Sequence, residues 1–220
     1  MKAGLKIIVL LTLANIPKVG LTQDTLWLKI KVKDAYHDAM GQPIKLKKWA
    51  FYLGGLSGVD EFGPTKQLIK GPRLIRLNTI KDTMLFLHTG EYNFKGLSIQ
   101  LGVDSILQAQ PNWEGDLDPI KGMYWEWRSG YIDLKIEGHS PASNERKNEV
   151  FFHLGGFLNH ESTQNLKKLS FPKYDECVEV DLTSFFRAID LSKQHKIMRP
   201  GKEAVKLSQT WKECLQIGTR

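Results

Sequence analysis

Apolar and polar residues alternate with a period of two in one short segment after another, and helical spacing replaces this alternation only near the C-terminus. In LWLKIKV, Leu26, Leu28, Ile30 and Val32 alternate with Trp27, Lys29 and Lys31. In a strand, successive side chains point to opposite faces, so this pattern buries one face and wets the other. Similar segments follow: a strand around Leu46–Leu53 broken by Gly54 and Gly55, then LIRLNTI, TMLFLHTGEY, FKGLSIQLGVD at 94–104, the segment from Gly122 to Gly138, NEVFFHLGGF, and CVEVDL. In CVEVDL the apolar set Val178, Val180 and Leu182 faces inward, which puts Cys177 on the polar side. The connectors YHDAMGQPI, SILQAQPNWEGDLDPIKG and HSPASNER are rich in turn formers. From about residue 183 the pattern changes. Asp181 or Thr183 caps a short helix through SFFRAID, Pro200-Gly201 interrupts, and Ala204, Leu207, Trp211 and Leu215 recur at helical spacing. Many evenly spaced short strands followed by a helical tail at about 183–220 predict a mainly β protein, a β-sandwich with a short C-terminal helical tail. No linker divides residues 23–220, which read as a single domain.

The first 22 residues stand apart. Lys2 and Lys6 precede the apolar run IIVLLTLANI at 7–16, which is too short for a membrane span and reads as the core of a secretory signal. Cleavage is expected near Thr22, leaving Gln23 or Asp24 first. No later segment is apolar and long enough to span a bilayer, so a periplasmic or secreted protein is expected. The formal charge of +7 falls to +4 once Lys2, Lys6 and Lys18 are removed, and the remaining basic residues are scattered. That distribution argues against nucleic-acid binding. In an oxidising compartment Cys177 and Cys214 are candidates for a disulfide between a late strand and the C-terminal helix.

The stretch GMYWEWRSGYIDLKIEG at 122–138 breaks its own phase. Met123, Trp125 and Trp127 share one face, yet beyond Gly130 the apolar residues Ile132, Leu134 and Ile136 belong to the opposite face, that of Glu126 and Arg128. One regular strand cannot bury both sets on one side. Either the sheet is covered on different faces at its two ends, or a bulge at Ser129-Gly130 re-aims the chain. A core Trp pair beside a kink and a functional site both satisfy this pattern.

Familiar chemical motifs are missing: there is no G-x-S-x-G, H-E-x-x-H, Walker A or G-x-G-x-x-G. No pair of His or Cys has the spacing of a tetrahedral zinc site. EGDLDP at 114–119 lacks the full oxygen spacing of a calcium loop and reads as a solvated acidic turn. His37, His139, His160 and His195 lie in polar or turn-rich contexts.

Several segments together resemble the MbnP-like family, periplasmic relatives of a copper-binding protein encoded beside methanobactin genes. They are FYL at 51–53, GEY at 90–92, LGVD at 101–104, LDPIKGMYWEWRSGYIDLKIEG at 117–138, SPAS at 140–143 and FFHLGGF at 151–157. The resemblance implies a β-sandwich, in agreement with the strand pattern. It also implies a copper site, Cu(I) or Cu(II), in which a Trp of the M-[YF]-W-x-W run is oxidised to kynurenine by a di-haem peroxidase of the MauG type. With the catalytic motifs missing, a non-enzymatic protein is expected. Here the candidates for modification are Trp125 and Trp127, and the strand histidine of the family falls on His153. In one respect the chain departs: copper-binding members carry another His after the early F-Y-[VI] strand, where this chain has Gly54. The remaining candidate ligands are His153, a modified Trp, the thioether of Met123 and, as a substitute imidazole, His88. The rival reading is a metal-free module for interaction or ligand binding in the cell envelope, on the same scaffold.

Overall fold

The structure is a computed structural model and describes residues 24–219 apart from 62, 78, 91–94, 110–113, 127 and 171–175. The expected signal segment lies outside the described residues. The strands are β1 (Asp24–Lys31), β2 (Tyr36–His37), β3 (Pro43–Asp60), β4 (Gly63–Ile69), β5 (Arg73–Arg76), β6 (Thr83–Gly90) and β7 (Gly96–Leu101). A short helix α1 (Ser105–Ala109) and two 3-10 turns lead to β8 (Tyr124–Glu126), β9 (Gly130–His139), β10 (Glu149–Gly155), β11 (Asn165–Ser170) and β12 (Glu176–Asp181). The chain then forms α2 (Thr183–Arg187), β13 (Lys196–Ile197), α3 (Lys202–Glu213) and β14 (Leu215–Thr219).

A four-stranded sheet runs in the order β14-β12-β1-β6, and a larger one follows the path β11-β7-β3-β9-β10-β13. Strands β2, β4 and β5 pair with β3, and β8 pairs with β9. Leu26, Leu28 and Ile30 of β1 join Val178 and Val180 of β12, Phe51 and Leu53 of β3, Leu134 and Ile136 of β9, and Phe152 and Leu154 of β10 in one hydrophobic cluster. The two sheets therefore form the predicted β-sandwich, and Leu26, Leu28, Ile30, Val178 and Val180 lie in its core where the alternation marks them. Helix α3 closes the core: Trp211 meets Phe51 at a ring separation of 5.0 Å and Trp49 at 6.3 Å.

The opposite face of the large sheet carries a second cluster, in which Ala50 and Tyr52 of β3 and Tyr131 and Ile132 of β9 pack with Val103, Leu117 and Met123. Described residues between β7 and β9, Val103, Leu117 and Met123 among them, thus lie over this outer face as a cover. Asp133 fastens it. Its carboxylate, only 4% exposed, accepts hydrogen bonds from the Val103 N–H at 2.8 Å, the Thr163 hydroxyl at 2.5 Å and the Gln108 amide at 3.4 Å. The LGVD motif is the turn that enters this cover. Gly102 adopts φ +89°, and a β carbon there would lie 2.7 Å from the Asp133 carboxyl carbon.

Four sequence readings need correction. Gly54 and Gly55 do not break the second strand, because β3 runs through them for 18 residues and takes up the misfit as a register shift against β7. They mark a close approach instead: a β carbon on Gly54 would lie 2.2 Å from the Gly102 carbonyl oxygen. The tail is helical only over α2 and α3, and its last residues add β14 to the small sheet, with Leu215 opposite Val180 and Ile217 opposite Val178. Cys177 is fully buried, not set on a polar surface. Lysines of β1 lie across that face of β12: Lys31 pairs with Glu179 at 2.8 Å, and Lys29 reaches the Thr219 carbonyl at 2.9 Å. Finally, Cys177 and Cys214 are not bonded to each other. Cys177 pairs with Gly218, whereas the Cys214 carbonyl accepts from the Asp181 N–H. The cysteines are therefore offset by four residues, about 13 Å along the strand, against the roughly 7 Å limit between Cα atoms for a disulfide.

Candidate functional site

The phase reversal in the aromatic stretch is a hairpin. Strand β8 pairs antiparallel with β9, Tyr124 opposite Tyr131 and Glu126 opposite Gly130. The Ser129 N–H donates to the Glu126 carbonyl at 3.2 Å, and Gly130 follows with φ +71°. A turn of this kind ending in a left-handed glycine is a standard three-residue hairpin connection. Of the two alternatives, a bulge is present, but it lies in β8 and not at Ser129-Gly130. The register shifts between Tyr124 and Glu126, which leaves Trp125 as the extra residue.

Trp125 is half-buried, and its ring lies over Gly155 of β10: a β carbon there would be 2.9 Å from the indole Cζ3. Gly155 shares a strand face with His153, because Phe152 and Leu154 between and beside them point into the main core. The hairpin therefore brings Trp125 and His153 to one face. Trp127 lies outside the described residues. Met123 is also on this face, but its thioether is 1% exposed in the cluster with Tyr52, Leu117 and Tyr131. The His88 side chain lies outside the described residues. Its backbone pairs with Leu26 in the small sheet, so β6 carries it on the other layer of the sandwich.

His153 is 4% exposed, and its Nε2 lies 3.1 Å from Oε1 of Glu137. Glu137 is itself held by Lys48 at 2.8 Å and Lys135 at 3.6 Å, and Lys135 also donates to the Gly122 carbonyl at 3.1 Å. Burial opposes ionisation of Glu137, but Lys48 and Lys135 outweigh it and hold the carboxyl below its ordinary range. Glu137 is thus an ionised acceptor, and the proton between the two groups resides on Nε2 of His153. Burial, then the charge of Lys135, pushes the His153 imidazole down to about 4 despite Glu137, so near neutrality it is uncharged, with its lone pair on Nδ1.

Nothing in the sequence linked these four groups. Glu137 and Lys135 look like the solvated side of β9, and Lys48 looks like an ordinary surface lysine. Only the register unites them: Lys135 pairs with both Ala50 and His153, and Glu137 pairs with both Lys48 and Phe151. The acidic residues noted at 114–119 serve the cover. Asp116 accepts from the Leu74 N–H at 3.0 Å and from Lys121 at 2.7 Å, and Asp118 caps the turn at Ile120 with a 2.9 Å bond.

The family model for MbnP matches residues 18–200. The chain belongs to the MbnP family. Among solved structures, MbnP from Methylosinus trichosporium has a similar fold, with a TM-score of 0.55 at 15% identity, over 76% of this chain and 78% of that one. A comparison with curated proteins gives no match. The motif resemblance and the fold therefore agree.

Whether this MbnP-family chain suits copper is a question about its donors. The resemblance puts the second His of copper-binding members at Gly54, and two observations bear on that position. The Gly102 carbonyl fills the space a side chain would need. In addition, Ala50, not Gly54, is level with His153 across Lys135. Gly54 lies four residues further on, about 13 Å along β3 and two strand spacings away. Among the described residues no group of three or more His, Cys, Asp and Glu is arranged to hold a metal ion. His153 is engaged by a carboxylate that two ammonium groups already occupy. Among the described residues, the donors present do not assemble a copper site.

Proposed function

We propose that the chain is an exported, non-enzymatic member of the MbnP family, periplasmic or secreted, that uses the family sandwich as a ligand-binding or interaction module without a resident copper ion. The observation that carries this reading is the closed cluster of His153, Glu137, Lys48 and Lys135, in which the imidazole of the family's strand histidine donates to a carboxylate paired with lysines. Gly54 supports it by supplying no second imidazole. Family membership suggests a methanobactin-related protein, and no helix among the described residues is long and apolar enough to cross a membrane.

A second reading keeps copper and is favoured by the contact of Trp125 with Gly155, two residues from His153 on the same face. In it a MauG-like di-haem peroxidase oxidises Trp125, or Trp127, to kynurenine. That residue carries a carbonyl and an aromatic amine where indole offers only an N–H donor, and copper binds it together with His153. Mass spectrometry of the peptide containing Trp125 and Trp127, on protein from its native envelope and with metal analysis of the same sample, separates the readings. Unmodified Trp without copper supports the first; kynurenine with one copper per chain supports the second.

A further inference from the structure

The ammonium group of Lys135 is held in place on the face that carries His153. It stands on the central strand of the trio β3, β9 and β10, level with Ala50 on one side and His153 on the other. The Gly122 carbonyl accepts from it at 3.1 Å, and Gly122 is itself fixed as the left-handed cap of the turn Pro119–Lys121, with φ 68°. The Lys135 side chain is 19% exposed, so solvent screens its charge only in part. Its second partner is Oε1 of Glu137, the same oxygen that takes the His153 proton, while Lys48 occupies Oε2.

A metal ion has two routes to His153, and Lys135 obstructs both. At Nε2 the ion must displace the bond to Glu137 and then share that carboxylate with two ammonium groups. At Nδ1 it keeps that bond but adds positive charge to a ring whose protonation Lys135 already opposes, and the Gly122 carbonyl holds that ammonium in place. We infer that Lys135 is a built-in cation of this site, one that takes the electrostatic place of a metal ion and excludes metals from His153. This rests on the metal-free reading above and adds the residue responsible for it.

The test is a titration of the full protein with Cu(II), and separately with Zn(II), against a competing chelator, read by the metal left free and by the His153 imidazole resonances. The wild type should take up neither metal at His153. Lys135→Met removes the charge and keeps an unbranched side chain one atom shorter, and should bind Cu(II) at least about tenfold more tightly. Lys135→Gln, which retains a donor for the Gly122 carbonyl, should behave likewise and serves if the Met variant folds poorly. Lys135→Arg keeps the charge and should stay metal-free, and adding His153→Ala to either neutral variant should abolish the gain. Neutral variants that fold yet bind no more tightly than wild type would overturn the role of Lys135 while leaving the metal-free reading intact. Copper bound to wild type and lost in His153→Ala would overturn both.

Discussion

Two buried titratable groups on the outer face of the large sheet oppose each other in pH, and removing either exposes the other. Asp133 is pushed from its ordinary 3.8 up to about 7, by burial, with the hydrogen bonds from Thr163 and Val103 acting against it. Between those values the fold keeps a proton that the unfolded chain has lost, so stability falls as pH rises. At 1.36 kcal/mol per pH unit the fall amounts to roughly 4 kcal/mol between pH 4 and pH 8. His153 is pushed from 6.5 down to about 4, so between those values the unfolded chain holds a proton that the fold does not. Its contribution runs the other way and removes roughly 3 kcal/mol as pH falls from 6.5 to 4. Over that window the two slopes cancel, and the wild type should show a nearly flat profile. Asp133→Asn keeps an acceptor for the Val103 N–H and should lose stability on acidification from pH 6.5. His153→Gln keeps a donor for Glu137 and should lose stability as pH rises from 4 to 7. Urea unfolding at half-unit steps from pH 4 to pH 8, extrapolated to water, measures all three profiles. The carboxylates held below their ordinary range, Asp116 and Glu137 among them, lose their contributions as pH falls through their folded values. An Asp133→Asn profile parallel to the wild type would refute the reasoning, since Asp133 would then ionise in the fold as it does in the unfolded chain.

Other consequences follow from single contacts. Gly54→His restores the imidazole found in copper-binding relatives, but its β carbon would meet the Gly102 carbonyl at 2.2 Å; thermal melts should show a loss of at least about 2 kcal/mol, with no copper bound in return. Gly155→Ala would crowd the Tyr131 carbonyl at 2.4 Å and the Trp125 ring at 2.9 Å. It should destabilise by about 1–3 kcal/mol and change the Trp fluorescence of the folded state. Trp211→Ala removes a 2% exposed ring from contact with Trp49 and Phe51, and chemical denaturation should register a cost of about 3–5 kcal/mol.

The sandwich was legible because alternation records burial on one face of a strand: Leu26, Leu28, Ile30, Val178 and Val180 are in the core where the pattern puts them. The phase reversal after Gly130 was legible as a discontinuity, though not as a hairpin, since Ser129-Gly130 suits a bulge as well as a turn. Strand β11 escaped notice because NLKKLS is an edge strand with lysines at 167 and 168 and an exposed Leu166. Such protection of an edge erases the apolar alternation that would reveal it. The two-glycine step in β3 misled for a related reason. Gly54 reads locally as a strand breaker, and only its neighbour Gly102, 48 positions on, shows that it accommodates another backbone. The site was the least legible part. His153 and Trp125 stood out by motif, but Glu137, Lys48 and Lys135 acquire meaning only from the register of β3, β9 and β10. A period-2 pattern assigns a residue to a face and says nothing about which residue of the next strand stands beside it.

The central claim is that this MbnP-family protein keeps the scaffold and leaves His153 to Glu137 and its lysines instead of to copper. The most direct measurement is mass spectrometry of the Trp125–Trp127 peptide, with metal quantification, on protein taken from the native envelope beside any di-haem peroxidase the cell makes. The account predicts unmodified tryptophan at both positions and no stoichiometric copper. Kynurenine at either position, together with one copper per chain that His153→Ala abolishes, would contradict it.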